Sequence, residues 1–354
     1  PALGIGFLGW ILPIPLAAIT IAMPAIAAAG LIYALVTSRP ETQALITVEA
    51  RIRQLLFAAG TVAIATTIGI LLSLVFETSR FFASEGVSAR EFFLGLNWSA
   101  QTSAAFGAVP LFFGTFFIAL IAVCVAAPIG LFSAIYLAEY ASPKFRRTAK
   151  PFLEILAGVP TVVYGFFAIM VVAPAVRHLG DGINALARPL TGGTDLLLTQ
   201  SKSALAAGLV MGIMIVPFIA SLSDDVLRSV PAKLKRGALA MGATRSEMMK
   251  QIVLPAAFPG IMAAFLLAIS RAIGETMIVV MAAGERANIT LNPFEDITTV
   301  TVQIVALMTG DPEFDSPRTL SAFALGAILF GVTLVFNILA QWIVERQRGR
   351  YATP

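Results

Sequence analysis

Charged positions cut the chain into long apolar runs joined by shorter polar segments. A helix crosses the roughly 30 Å hydrocarbon core of a bilayer with about 20 apolar residues. Six runs meet that requirement, at about 54–76, 106–138, 152–174, 204–223, 257–283 and 320–344. Pro128 inside the long second run predicts a tilt or kink there. The stretch Pro1 to Ser38 carries no charge and is too long for one straight span. Pro13, Pro15 and Pro24 predict a kinked span near 14–36 behind a loose lead-in, with two very short spans as the alternative. An apolar start at Pro1 reads as a processed or truncated chain, with room for an upstream segment.

Composition turns these runs into a fold class. Only 12% of the 354 residues are charged and 58% are hydrophobic, against about 25% charged in soluble domains. A water-soluble globule is thereby excluded; the expectation is an all-α, polytopic membrane bundle of six spans plus an N-terminal extra span. The single cysteine, Cys124, and single histidine, His178, leave no disulfide framework, metal cluster or His relay. The net charge of +4 is read as a topology signal rather than as affinity for nucleic acid.

Sorting the basic residues supports that reading. Segments 38–54, 139–151 and 224–256 and the C-terminal tail hold 16 Lys and Arg, and the alternate segments hold 7. The positive-inside rule makes the richer side cytoplasmic, C-terminus included. The opposite loops carry acidic clusters (Glu77, Glu85, Glu91; Glu295, Asp296; Asp311, Glu313, Asp315). They read as solvated loops with short amphipathic helix, and they also suit contact with an external soluble partner.

Segment 224–256 is too long and too regular to be a connector. Ser229 is placed to cap a helix and Pro231 to sit in its first turn. That helix runs through Leu234, Ala238 and Met241 and ends at Gly242, which takes the left-handed cap conformation. Thr244-Arg-Ser-Glu247 matches a capping box opening a second helix through Met248, Met249 and Ile252 to Leu254, with Pro255 as its stop or kink. Met241, Met248 and Met249 would offer adaptable apolar surface. The pattern alone equally allows both helices to lie on lipid headgroups.

The stretch Arg236-Gly-Ala-Leu-Ala-Met-Gly242 through Ile252-Val-Leu254-Pro255 resembles the EAA loop of ABC importer permeases, with Gly242, Ile252, Leu254 and Pro255 in register. Arg236-Gly237-Ala238 stands where the family has Glu-Ala-Ala, so the contact usually made by that Glu is altered here. The resemblance implies that the loop couples to a cytoplasmic ATPase, with Arg236, Gly237, Ala238, Met241, Gly242, Thr244, Glu247, Leu254 and Pro255 as its coupling residues. Ser270-Arg-Ala-Ile-Gly-Glu-Thr-Met277, together with Tyr136-Leu-Ala-Glu-Tyr-Ala and Glu154-Ile-Leu-Ala-Gly-Val-Pro160-Thr-Val-Val-Tyr-Gly165, is similar to phosphate importer permeases of the PstC branch. This similarity covers about 100–345 and implies a MetI-like type I importer core. The implied organisation is an N-terminal extension over 1–80 that includes the start of the first core span, a permease core over 81–345 and a tail over 346–354. The implied location is a bacterial inner membrane. The implied partners are a PstA-type permease, two PstB-type ATPases and an external PstS-type phosphate-binding protein.

Ionisable residues inside apolar runs cost about 2.5–3.5 kcal/mol each at the centre of a span and need a partner or a wet cavity. Arg271 and Glu275 are four apart and, on one helix, would share a face and neutralise each other. Either this is a structural pair, or Arg271 meets phosphate through its planar donors while Glu275 tunes it; the resemblance favours Arg271, Glu275 and Thr276 as substrate-pathway residues. Glu139 and Glu154 read as a snorkelling network with Lys144, Arg146, Arg147 and Lys150. Tyr164, with Pro160 and Gly165, either packs between helices or lines the pathway. No phosphate-binding P-loop and no H-E-x-x-H are present, so ATP and Mg would be used by a partner chain and no metal or cofactor is expected on this one. The alternatives are a permease for molybdate or sulfate, or a secondary transporter or scaffold, although no internal repeat is found.

Overall fold

The structure is a computed structural model that describes residues 29–30, 44–100, 104–189, 199–309, 313 and 315–351. The span predicted near 14–36 therefore lies almost wholly outside the described residues. Six helices among them are long and apolar enough to cross a membrane: Val48–Ala83, Val109–Tyr140, Thr161–Ala187, Ala204–Ser229, Arg245–Ile273 and Pro317–Arg346. Each overlaps one predicted run. The chain divides into two units, Pro1–Ile70 and Leu71–Pro354.

Helix α1, Ala44–Ala83, passes through that division. In the first unit it exposes Leu55, Leu56, Phe57 and Ile64, as a lipid-facing helix would. Its polar groups are satisfied locally, since the hydroxyls of Thr61, Thr66 and Thr67 donate to the carbonyls of Phe57, Val62 and Ala63 at 2.8–2.9 Å.

The second unit opens with an aromatic knot. Phe81, at the end of α1, packs edge-on at 5.3 Å against Phe92 of α2 (Ala89–Leu94) and against Phe106 of the hairpin β1 (Trp98–Ser99) and β2 (Ala105–Phe106). Trp98 Nε1–H donates to Gln303 Oε1 at 2.9 Å, so the buried indole keeps a partner.

The centre of the unit is the contact between α3 (Val109–Ile135) and α7 (Ala204–Ser229). The buried residues Ala119, Ala122, Ala126, Gly130 and Ala134 recur at helical spacing on α3, as do Gly208, Gly212, Ile215 and Ile219 on α7. Small residues let two spans approach until their surfaces interlock, which is how apolar helices gain energy in lipid. A Cβ on Gly130 would lie 2.8 Å from Ile219 Cγ2, and one on Gly208 2.6 Å from Ile121 Cγ2.

Two predicted runs are broken in the structure. The run at 152–174 is interrupted at Gly158-Val159-Pro160, where Pro160 holds ψ at 133°. Residues 143–157 form a separate amphipathic helix, α4 (Pro143–Ala157), capped by Ser142, and the membrane span starts at Thr161. That span joins α5 (Thr161–Phe167) to α6 (Ala173–Ala187), which carries His178. The run at 257–283 ends as a helix at Ile273: α10 (Leu254–Ile273) gives way at Gly274–Thr276 to the short α11 (Met277–Ala282). Helix α12 (Val300–Met308) and the last span, α13 (Pro317–Tyr351), complete the unit.

Wide π-turns at Ala168–Val172 and Met249–Val253 immediately precede Pro174 and Pro255. A proline ring collides with the carbonyl four residues back in a regular helix. The wider turn relieves that collision, so the backbone stays helical through both prolines.

Candidate functional site

Two regions gather the residues that the sequence singles out. The first is the loop between α7 and α10. Val230 and Pro231 are extended, and α8 (Ala232–Ala240) follows. Ser229 does not cap it. That residue closes α7 instead, its hydroxyl donating to the Val226 carbonyl at 2.7 Å, and Pro231 occupies the cap position.

Gly242 has φ +89°, in the left-handed region that favours glycine. Around it the amide of Ala243 donates to Ala238 O and that of Gly242 to Leu239 O, both at 3.1 Å. These paired bonds form a Schellman cap. The capping box then starts α9 (Arg245–Met248): Thr244 N–H donates to Glu247 Oε2 at 2.8 Å, and Glu247 N–H donates to Thr244 Oγ1 at 3.3 Å. The two helices meet in the sharp turn that the spacing predicts.

The methionines divide. Met248 and Met249 are buried with Ala134, Leu227, Val230, Ala238, Val253 and Ala257, anchoring the loop to the ends of α3, α7 and α10. They are thus internal packing, not an offered surface. Met241 is 89% exposed beside the exposed Leu234 and Leu239. Arg236, Gly237, Gly242, Thr244, Glu247 and Pro255 are also exposed, Ala238 is buried and Leu254 is half-buried. Pro255 neither stops nor breaks the helix, because the π-turn before it accommodates the ring.

Ion pairs fix this loop and α4 to the span ends. Lys235 of α8 pairs with Glu139 and also donates to the Leu227 carbonyl at 3.2 Å. Arg146 Nη2 lies 2.5 Å from Asp224 Oδ2, and Lys150 Nζ lies 2.5 Å from Asp225 Oδ1. The hydrogen bond to Asp225 holds the Lys150 ammonium above the usual lysine range. The sequence reading missed Asp224 and Asp225. Their signal was two adjacent acids at the end of an apolar run, opposite the basic segment 144–150.

The second region is the interruption between α10 and α11. Arg271 and Glu275 do not pair, because the helix that would stack them ends between them. Glu275 is buried, and its Oε1 accepts from the Met277 and Ile278 amides at 3.1 and 3.5 Å. Its carbonyl accepts from the Thr301 hydroxyl at 2.9 Å. Thr276 precedes α11 and is half-buried. Arg271 sits exposed in the last turn of α10, its guanidinium 5.6 Å from the Phe218 ring centre, with no carboxylate partner among the described residues. Phe218, on α7, is a neighbour that periodicity could not name.

Tyr164 packs: its hydroxyl donates to Leu156 O at 3.1 Å, bracing the break before α5. Gly165 lets α11 approach, since a Cβ there would meet Met281 Sδ at 2.6 Å.

The family described as binding-protein-dependent transport system inner membrane component matches residues 126–349, which include both regions. The chain belongs to this family. It is 31% identical to a probable ABC transporter permease protein, YqgH, of Bacillus subtilis, over 85% of this chain and 92% of that one. It is also 31% identical to the phosphate transport system permease protein PstC of Mesorhizobium japonicum, over 80% and 85%. Among solved structures, a bacterial alginate ABC transporter in complex with an alginate pentasaccharide-bound periplasmic protein aligns over 84% of this chain and 96% of its own, with a TM-score of 0.52 at 17% identity. The chain is a multi-pass membrane permease subunit of the ABC transporter class with a MetI-like bundle.

Proposed function

We propose that this family member is the PstC-type permease of an ATP-driven inorganic phosphate importer in a bacterial inner membrane, with its C-terminus cytoplasmic. Arg271 carries the reading. A guanidinium in a span, exposed and without a carboxylate partner, needs water or an anion beside it. Its planar donors suit a phosphate oxygen pair. Glu275 and Thr276 line the same interruption, and Glu275 acts there by holding the start of α11 rather than by pairing with Arg271. Support for phosphate as cargo comes from the PstC relatives at about 31% identity.

In this reading a PstA-type permease supplies the other half of the pathway, and a PstS-type binding protein delivers phosphate from outside. Two PstB-type ATPases use ATP and Mg and grip the loop through Met241, Leu234 and Leu239, while Gly242 and the Thr244–Glu247 box hold its shape.

Affinity purification of the full chain from membranes tests the coupling. An ATPase subunit should co-purify, and Met241→Asp should cut its recovery about 30-fold, the loss of one strong interface contact, with chain level unchanged. Equal recovery with Met241→Asp, or no ATPase with either chain, contradicts this assignment.

A further inference from the structure

We infer that the outward face of α4 is a binding site for anionic phospholipid. The helix has 15 residues, none of them buried, and lies between two spans without being one itself. Its cations face two ways. Arg146 and Lys150 point inward to Asp224 and Asp225, docking the helix onto the end of α7. Lys144 and Arg147, one turn apart, are exposed and have no acidic partner within 4 Å among the described residues. Alongside them Phe145, Phe152 and Ile155 are 53%, 62% and 66% exposed.

Three large apolar side chains beside Lys144 and Arg147 fit a surface that is anionic at one depth and hydrocarbon at the next. A phospholipid supplies both: its phosphodiester complements Lys144 and Arg147, and its acyl region receives the phenylalanines and Ile155. The inward pairs prevent the helix from rolling, so Lys144 and Arg147 stay on the lipid side. Glu154, exposed in the last turn, is the one acid on the helix and makes no ion pair with them.

Native mass spectrometry of the delipidated full chain, titrated with phosphatidylglycerol or phosphatidylcholine, tests this. Phosphatidylglycerol should bind more tightly, and Lys144→Ala/Arg147→Ala should weaken it about 30-fold, at roughly fivefold per cation near an anionic surface. Phosphatidylcholine binding should stay within about twofold, and Lys144→Arg/Arg147→Lys should retain the preference, which separates lost charge from lost fold. Phe152→Ala/Ile155→Ala should weaken both lipids. Equal loss for the two lipids in the double alanine variant, or no loss, overturns the site. Displacement of phosphatidylglycerol by millimolar inorganic phosphate also overturns it, because a free-phosphate site would then be the occupant, as does cross-linking of this face to a protein in native membranes.

Discussion

Arg271 lies exposed in the last turn of α10 and has no carboxylate partner among the described residues. Phe218, its ring centre 5.6 Å from the guanidinium, offers a face that orients a cation without neutralising it. Arg271→Ala should therefore lower phosphate uptake about 10- to 150-fold, the range for losing a charged hydrogen-bonding group, while Arg271→Lys recovers only part, because a point charge replaces a planar fork. Transport rate normalised to membrane level reads this, and an Arg271→Ala chain at the parental rate removes Arg271 from the pathway. Glu275→Gln separates two roles for the neighbouring acid. If Glu275 serves through Oε1 at the start of α11, glutamine keeps an acceptor and uptake falls less than about tenfold. Sequence pattern identified both residues as unusual but not their relation. An i, i+4 pair presumes continuous helix, and the break at Gly274 depends on tertiary contacts such as Thr301 to the Glu275 carbonyl.

Elements were legible where one local rule acted alone. Gly242, the Schellman bonds and the capping box all lie within the ten residues from Ala238 to Glu247, so the turn in the loop could be read from spacing. The boundary of the third span was not legible, because residues 152–157, the apolar end of the amphipathic helix over 143–157, run without a charge other than Glu154 into the stretch beyond Pro160. The methionines were read as one surface because they share a residue type. Burial of Met248 and Met249 follows from α7 and α10 converging on the loop, which no local pattern reports. The α3–α7 seam makes its own prediction. Gly130→Leu places a branched side chain against Ile219 and should cost at least about 1–3 kcal/mol, the usual penalty for overpacking. Thermal unfolding of the detergent-purified chain should show a lower midpoint, whereas an unchanged midpoint means that the helices do not interlock there.

At the scale of the whole molecule, the proposed function requires the two regions to act together. The loop at 230–244 is rooted by Met248, Met249 and the Lys235–Glu139 pair to the ends of α3, α7 and α10, and Arg271 lies at the far end of that same α10. The loop is in this way joined through α10 to the interruption at Gly274. The composition that marked the chain as membranous also made the few charges within its apolar runs conspicuous. In the proposed function this permease passes phosphate. Uptake of radiolabelled phosphate, by cells lacking their own importer and carrying this chain with its partner subunits, tests it most directly. ATP-dependent uptake is expected that excess unlabelled phosphate abolishes and that excess sulfate or molybdate leaves within about twofold. Uptake that sulfate or molybdate suppresses as strongly as phosphate does, or no ATP-dependent uptake at all, would contradict it.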